Sequence, residues 1–385
     1  MTKHISKIEK LIAELCPKGV EFKDLGEVCQ FQRGSTITKK DVIDGDVPVI
    51  AGGQHPAYYH NVANRRGETI VVSSSGAYAG FISFWTIPIF LSDSFSVNPN
   101  YELLMPKYVF YFLKNLQKEI HSLKKGGGVP HVHGSDLTKL KIPLPPLAVQ
   151  EEIVKILNSF TELEAELEAE LEARKKQYEH YREELLTFGD EVSWVELKEI
   201  ADFSQGIQVD VSKQLPDMQD GFVRFLRIVD FVKDDEVPRY IKNPGSRYVK
   251  KDGDLVMIRY GASAAGKVFL KYNGAIANNM FQVKLKSEVL NIKFLYCYLS
   301  QPKIYNYLNS NGGSSTMPAI TFGQIGAVKI PIPPITEQER IVSILDKFDA
   351  LVNDISIGLP AELAARRSQY EYYRGKLLTF KEYAN

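Results

Sequence analysis

Gly261–Val268 reads GASAAGKV, one residue short of the phosphate-cradling pattern G-x-x-x-x-G-K-[ST]. That chemistry needs a hydroxyl after the Lys to ligate Mg²⁺ and a helix N-terminus aimed at the phosphate. Val268 stands where the hydroxyl should be, and the following FLKYNGAIA reads as strand. A tight turn is the better reading. HVH (His131, His133) and HPAYYH (His55, His60) hold metal-binding residue types, but no third ligand cluster lies near either in sequence. Cys16, Cys29 and Cys297 are scattered, with no CxxC spacing. They fit neither a disulfide framework nor a zinc site and suit reduced thiols in a cytoplasm. No metal or cofactor is expected on this chain.

A different chemistry is better supplied. Reading bases takes Arg, Lys, Gln and Asn with Ser or Thr in support, and holding phosphates takes Lys, Arg and backbone N–H groups. Loop-like stretches rich in these occur in both halves of the chain. The first half offers Gln32, Arg33, Ser35, Lys39, Lys40, Gln54, His55, Tyr58, Arg65, Arg66, Ser74, Tyr78, Lys124, Lys125, His131 and His133. The second offers Gln205, Gln208, Lys213, Arg227, Arg259, Tyr260, Ser263, Lys267, Asn311, Ser314, Ser315 and Thr316.

The elements that must position these residues are written twice. KIPLPPLAVQEEIVKILNSF (141–160) returns as KIPIPPITEQERIVSILDKF (329–348), and ARKKQYEHYREELLTF (173–188) returns as ARRSQYEYYRGKLLTF (365–380). Weaker matches keep the same order. FKDLGEV (22–28) resembles WVELKEI (194–200), and Gly34 falls opposite Gly206. GETIVV (67–72) resembles GDLVMI (253–258), and KYVFYFL (107–113) resembles KFLYCYL (293–299). The chain is a duplicated unit: a strand-rich globule followed by a helical stretch. Aromatics such as Tyr108, Tyr111 and Phe112 sit at helical spacing and read as core.

The prolines before each helical stretch make an extended lead-in. After them Ile153, Ile156, Leu157 and Phe160 form one apolar stripe, and Ile341, Ile344, Leu345 and Phe348 repeat it. TELEAELEAELEA follows in the first copy, with Leu163, Leu167 and Leu171 four apart among glutamates. A helix this acidic, with one leucine row, suits a spacer that meets a single partner helix. In the second copy Gly358 and Pro360 break the pattern. Two similar units in one chain tend to pack about a pseudo-two-fold axis, which would set the helices antiparallel and bring the chain ends together.

Net charge is zero over 385 residues, yet charge is segregated. Residues 1–150 carry 17 Lys+Arg against 13 Asp+Glu, residues 151–191 carry 5 against 13, and residues 192–335 carry 18 against 13. Mildly basic globules with acidic helices can steer a polyanion to the globules. No run of about eighteen apolar residues occurs, so no membrane span is expected. The first residues lack a signal-peptide core and read as an amphipathic helix with Ile5, Ile8, Leu11, Ile12 and Leu15 on one side.

The Pro-rich block with its Gln-Glu-x-Ile, the LLTF helix ends, the duplication and the variable globules between shared helices together resemble the specificity subunit of a type I restriction–modification enzyme. The resemblance spans nearly the whole chain. It implies an α+β fold with a pseudo-two-fold internal repeat: two mixed α/β target recognition domains separated by two long antiparallel helices. The segments are then residues 1–18 (N-terminal helix), 19–146 (first recognition domain), 147–190 (first spacer helix), 191–334 (second recognition domain) and 335–385 (second spacer helix). Each domain would read one half of a split, asymmetric site in double-stranded DNA. The helices would dock two methyltransferase subunits, which use S-adenosylmethionine, and through them the restriction subunits. Pro145, Gln150, Ile153, Leu163, Leu167, Leu171, Pro333, Gln338 and Ile341 are the spacer and docking candidates on this reading.

The resemblance implies a non-catalytic chain, and the residues agree. Adenine methylation calls for Asn/Asp-Pro-Pro-aromatic, whereas Pro145-Pro146 and Pro333-Pro334 lie in PLPPLA and PIPPIT. The alternatives are a coiled-coil scaffold with two protein-binding heads and a single-chain DNA methyltransferase. Salt-sensitive DNA binding by the assembled complex separates recognition from the scaffold, and methyl transfer by the isolated chain would establish the enzyme.

Overall fold

The computed structural model describes residues 2–126, 128–233, 235–251, 253–261, 264–310, 319–354 and 356–383. They form two compact units, one of residues 1–170 with 361–385 and one of residues 171–360. Four long helices organise them: α1 (Thr2–Leu15), α2 (Leu147–Leu185), α3 (Ile335–Asn353) and α4 (Leu359–Leu377).

The described residues of the first unit form strands β1 (Glu21–Asp24), β2 (Cys29–Arg33), β3 (Val47–Ile50), β4 (Tyr58–His60), β5 (Thr69–Ser73), β6 (Ile82–Trp85), β7 (Phe90–Leu91), β8 (Ser94–Pro99) and β9 (Lys141–Leu144). Its main sheet has the order β2-β8-β5-β6, and a smaller sheet has the order β4-β3-β7 with β3 and β7 parallel. Strand β5, TIVVS, is buried throughout because both its faces are covered. Ile70 and Val72 face the helices and Val71 faces the small sheet with Ile50, Ile89 and Leu91. The aromatic stripe is core, as its spacing indicates: Tyr108, Tyr111 and Phe112 are buried.

The second unit repeats this plan with β10 (Ser193–Glu196), β11 (Ala201–Gln205), β12 (Phe222–Leu226), β13 (Arg239–Lys242), β14 (Val249–Lys250), β15 (Leu255–Ile258), β16 (Val268–Phe269), β17 (Gly274–Ile276), β18 (Met280–Leu285) and β19 (Lys329–Ile332). Its main sheet is β11-β18-β15-β16 and its small sheet β13-β12-β17-β14, again with one parallel pair, β12 with β17. The Pro-rich lead-ins are strands in both copies. β9 pairs antiparallel with β1, Phe22 opposite Pro143, and β19 pairs with β10, Trp194 opposite Pro331.

The two helical stretches differ. α2 is one helix of 39 residues, whereas the second copy is two helices of 19 residues each, α3 and α4. The break falls at Gly358 and Pro360, where the sequence interrupts the pattern. A Cβ on Gly358 would lie 2.4 Å from the Ala350 carbonyl oxygen, so this turn admits only glycine. Within the first unit α2 and α4 run antiparallel. Phe160 meets Tyr370 and Tyr373, while Glu164 and Glu168, further along α2, meet Arg367, earlier on α4. In the second unit Phe348 meets Tyr178 and Tyr181, the same trio of residues. The chain ends meet as well: Val20 bridges Glu382, with the Tyr383 N–H donating to the Val20 carbonyl at 2.9 Å. The compact units therefore cut across the sequence-defined segments, since each combines a globule with parts of the helices. Among the described residues no helix is long and apolar enough to cross a membrane.

Candidate nucleic-acid interface

In the first unit the strand pairing gathers several loops at one end of the main sheet. β2 ends at Arg33, β5 ends at Ser73 and β8 begins at Ser94. The loop after β3 joins them, because the Ser94 hydroxyl donates to Ile50 O at 3.1 Å and the Ser73 hydroxyl to Gly53 O at 3.4 Å. A further segment closes over the group. Lys125 and His131 exchange backbone hydrogen bonds at 2.9 and 2.7 Å, and the Val132 N–H donates to Ser74 O. Arg33, Ser35, Gln54, His55, Ser74, Tyr78, Lys124, Lys125, His131 and His133 thus belong to one loop cluster. Gly34 makes the approach possible. Its N–H donates to Ser94 O, and a Cβ there would lie 2.2 Å from Ser92 O.

The cations of this cluster are unevenly committed. Lys125 pairs with Asp136, whose carboxyl that hydrogen bond holds below the usual carboxylate range. The Lys124 ammonium donates to Ala77 O at 2.9 Å. The His131 and His133 rings stack with centroids 6.1 Å apart. Arg33 is exposed and has no side-chain partner among the described residues.

The second unit builds the same cluster from other residues. Gly206 matches Gly34, and a Cβ there would lie 2.2 Å from Ala277 O. Gln205 donates to Asn278 O at 3.1 Å, the Tyr260 hydroxyl donates to the same oxygen at 3.4 Å, and Asn278 Nδ2 donates to Gln208 Oε1 at 3.2 Å. Arg259 lies over the Tyr260 ring at 5.1 Å, and Ile320 N–H donates to Arg259 O as Val132 does to Ser74. Lys267 is exposed at the base of the β15–β16 turn. The residues after it form strand β16, so no helix N-terminus addresses this loop.

Several candidates lie elsewhere. Arg65 is committed internally, to Ser96 Oγ at 2.9 Å and to the carbonyls of Gln32 and Arg33 at 3.2 and 3.0 Å. Arg227 caps Asp230 at 3.0 Å and bonds Glu236. Both guanidiniums are held by groups of their own unit. Lys39 and Lys40 are exposed in the loop leading into β3, beside Asp41. Gln32 and Arg66 are exposed, and Tyr58 is half-buried on β4. Lys213 lies 3.8 Å from Asp210 in a short 3₁₀ turn. Ser263, Asn311, Ser314, Ser315 and Thr316 lie outside the described residues. Ser75, Asp93, Asn278 and Asn279 were missed, because only the pairing of distant strands brings them into the clusters.

Among the described residues no group of three metal-ligating side chains comes together. All three cysteines are free and buried, and burial pushes the Cys29 and Cys297 thiols up to about 12.

Residues 17–173 and 190–365 each match the family model described as the type I restriction modification DNA specificity domain. The chain belongs to the specificity subunits of type I restriction–modification systems. The two matches correspond to the two copies of the repeat. The chain is 29% identical, over 421 residues, to the type I restriction enzyme EcoR124I/EcoR124II specificity subunit of Escherichia coli, covering 98% of this chain and 97% of that one. It is 30% identical over 392 residues to a putative type I restriction enzyme specificity subunit of Haemophilus influenzae, covering 94% and 96%. The crystal structure of a type I restriction-modification system S subunit from M. genitalium shares the fold. Its TM-score is 0.60 at 17% identity, covering 94% of this chain and 96% of that one. Like its relatives, this specificity subunit is not itself an enzyme.

The spacer and docking candidates of this specificity subunit divide by burial. Pro145, Gln150, Ile153, Pro333, Gln338 and Ile341 are buried inside their own units. They fasten helices to globules and cannot form a docking surface, which corrects that assignment. Leu163, Leu167 and Leu171 form a half-buried row along α2.

Proposed function

We propose that each unit lays its loop cluster on the major groove of one half of a split DNA site, the first unit reading with Arg33, Ser74 and His133 and the second with Gln205, Arg259 and Tyr260. The observation that carries this is the double construction. One backbone frame, fixed by Gly34 or Gly206 beside a strand carbonyl, presents different donors and acceptors in its two copies. Different side chains on one frame are what an asymmetric site requires.

The isolated chain, neutral overall, should hold DNA weakly. Two methyltransferase subunits using S-adenosylmethionine would supply the remaining phosphate contacts and the chemistry, and restriction subunits would join them, all in the cytoplasm. Mapping methylated adenines with and without this chain tests the reading, with loss of one split motif as the expected result. Binding of the assembled complex to that motif should weaken steeply with salt. An unchanged methylation map would sink the proposal.

A further inference from the structure

We propose that the first unit contains a pocket for a single unstacked DNA base, at the position where the second unit carries its own aromatic ring. The proposal rests on the reading that the loop clusters face the duplex, and it names a recognition event within that site.

The two units are matched residue by residue here. His133 and Thr321 are the N-cap residues of the short helices Gly134–Leu137 and Phe322–Gly326, and in each the N-cap N–H donates to the side chain three residues on, Asp136 or Gln324. Gly134 and Phe322 are therefore equivalent first residues. Beneath each lies a pair of phenylalanines from the two matched strands of the main sheet. Phe31 and Phe95 have centroids 6.0 Å apart, and Phe203 and Phe281 6.2 Å.

In the second unit Phe322 completes a three-ring cluster. It stacks on Phe203 at 5.9 Å with planes 21° apart and meets Phe281 edge-on at 5.3 Å. In the first unit Gly134 contributes no ring. A cleft of about 310 Å³ opens instead, lined by Phe31, Phe95, Arg33, Ser74, His133 and Ser135. That volume is at the low end for small-ligand clefts, ~300 Å³.

The lining selects the occupant. The phenylalanines offer aromatic surface to a planar group. Arg33 at the rim and the 95%-buried Ser74, whose hydroxyl has no partner among the described residues, offer hydrogen bonds to its edge. A phosphate would leave the rings unused, and an aliphatic side chain would leave Arg33 and Ser74 unpaired. A nucleobase uses both, since every base has a π-face and a polar edge. The cleft lies within the loops assigned to the duplex, where a base turned out of the stack can reach it.

The test uses the complex reconstituted with its methyltransferase subunits and a duplex carrying the mapped site. 2-Aminopurine is placed singly at each purine of the half-site read by the first unit, and permanganate probes its thymines. One position other than the methylated adenine should become unstacked on binding, with a several-fold signal change. Gly134→Phe, which copies the second unit, should abolish that signal and weaken binding about ten-fold, with the second half-site still recognised. Ser135→Trp blocks the cleft from an exposed position and should do the same if Gly134→Phe does not fold, which thermal melting reports. If the complex protects both half-sites but only the methylated adenine is unstacked, or if the signal survives both variants, the pocket proposal falls and the DNA-facing reading stands. If the first half-site is never protected, that underlying reading fails and the pocket falls with it.

Discussion

Gln150 and Gln338 make the same three hydrogen bonds in the two units. Gln150 Oε1 accepts from the Met105 N–H at 2.9 Å while its Nε2 donates to the carbonyls of Leu103 and Pro145, each at 2.8 Å. Gln338 accepts from the Asn291 N–H at 2.7 Å and donates to Val289 and Pro333 at 3.1 and 2.9 Å. Both side chains are fully buried. Each amide thus locks the first turn of a long helix to the Pro-rich strand and to the loop entering the aromatic helix. Truncation strands one N–H and two carbonyls away from water, so Gln150→Ala or Gln338→Ala should cost about 2–4 kcal/mol. Hydrogen exchange can locate the damage. Gln338→Ala should deprotect the Asn291 amide and leave the Met105 amide protected, and equal deprotection of both would contradict it.

The pairing of α2 with α4 depends on rings more than on charges. Phe160 is buried against Tyr370 and Tyr373 at 6.1 and 5.6 Å. Arg367 reaches Glu164 and Glu168, but its side chain is 51% exposed. Burying a phenylalanine outweighs an ion pair that water and salt screen. Phe160→Ala should therefore cost about 3–5 kcal/mol, and Arg367→Ala less than about 1 kcal/mol. Denaturant titration of the two variants decides the order.

Much of this was legible because duplication writes the same packing problem twice. The stripe at Ile153, Ile156, Leu157 and Phe160 and its copy from Ile341 are period-3.6 patterns, and such patterns survive into structure. The loop positions were legible as well, through glycines and clustered polar residues. The partners of individual cations were not. Arg65 has the same side chain as Arg33, but strand pairing sets Arg65 among the Gln32 and Arg33 carbonyls and leaves Arg33 exposed. Asn278 and Asn279 escaped notice for the related reason that a residue's place in a cluster is set by strand order, which periodicity does not encode.

That contrast between arginines can be measured. Arg33→Ala should relax recognition at one base of one half-site, and Arg259→Ala should do so in the other half-site. Each should cost about 1–3 kcal/mol of discrimination, the usual scale for a lost base contact. Arg65→Ala and Arg227→Ala should lower stability without changing the bases read, because their partners are carbonyls and carboxylates of their own unit. Methylation maps paired with melting curves separate the two classes, and a specificity change from Arg65→Ala would reverse the assignment.

The Lys125–Asp136 pair gives the first cluster an acid limit. The Lys125 hydrogen bond, aided by the His133 N–H, depresses the Asp136 carboxyl pKa. A carboxyl depressed in the folded state contributes stability above its unfolded pKa of about 3.9 and loses it as pH falls through the folded value. Carboxyl NMR should place the Asp136 midpoint below about 3.9, and Lys125→Ala should move it upward. An unmoved midpoint would mean that the ammonium is not the cause.

The four-residue repeat in α2 makes the spacing itself a variable. The helix is unbroken from Leu147 to Leu185 and passes through TELEAELEAELEA. Deleting Ala165–Glu168 keeps the leucine row in phase and sets Glu172 in the sequence place of Glu168, so the local contact with Arg367 can re-form. What changes is helix length, by roughly 6 Å against about 3.4 Å per base-pair step. If α2 sets the separation of the two reading surfaces, the unread gap in the methylated motif should shorten by about one or two base pairs. The bases of both half-sites should remain the same. Methylation mapping of the deletion and of a matching four-residue insertion would show opposite shifts, whereas altered half-site bases would assign α2 a reading role in place of a spacing one.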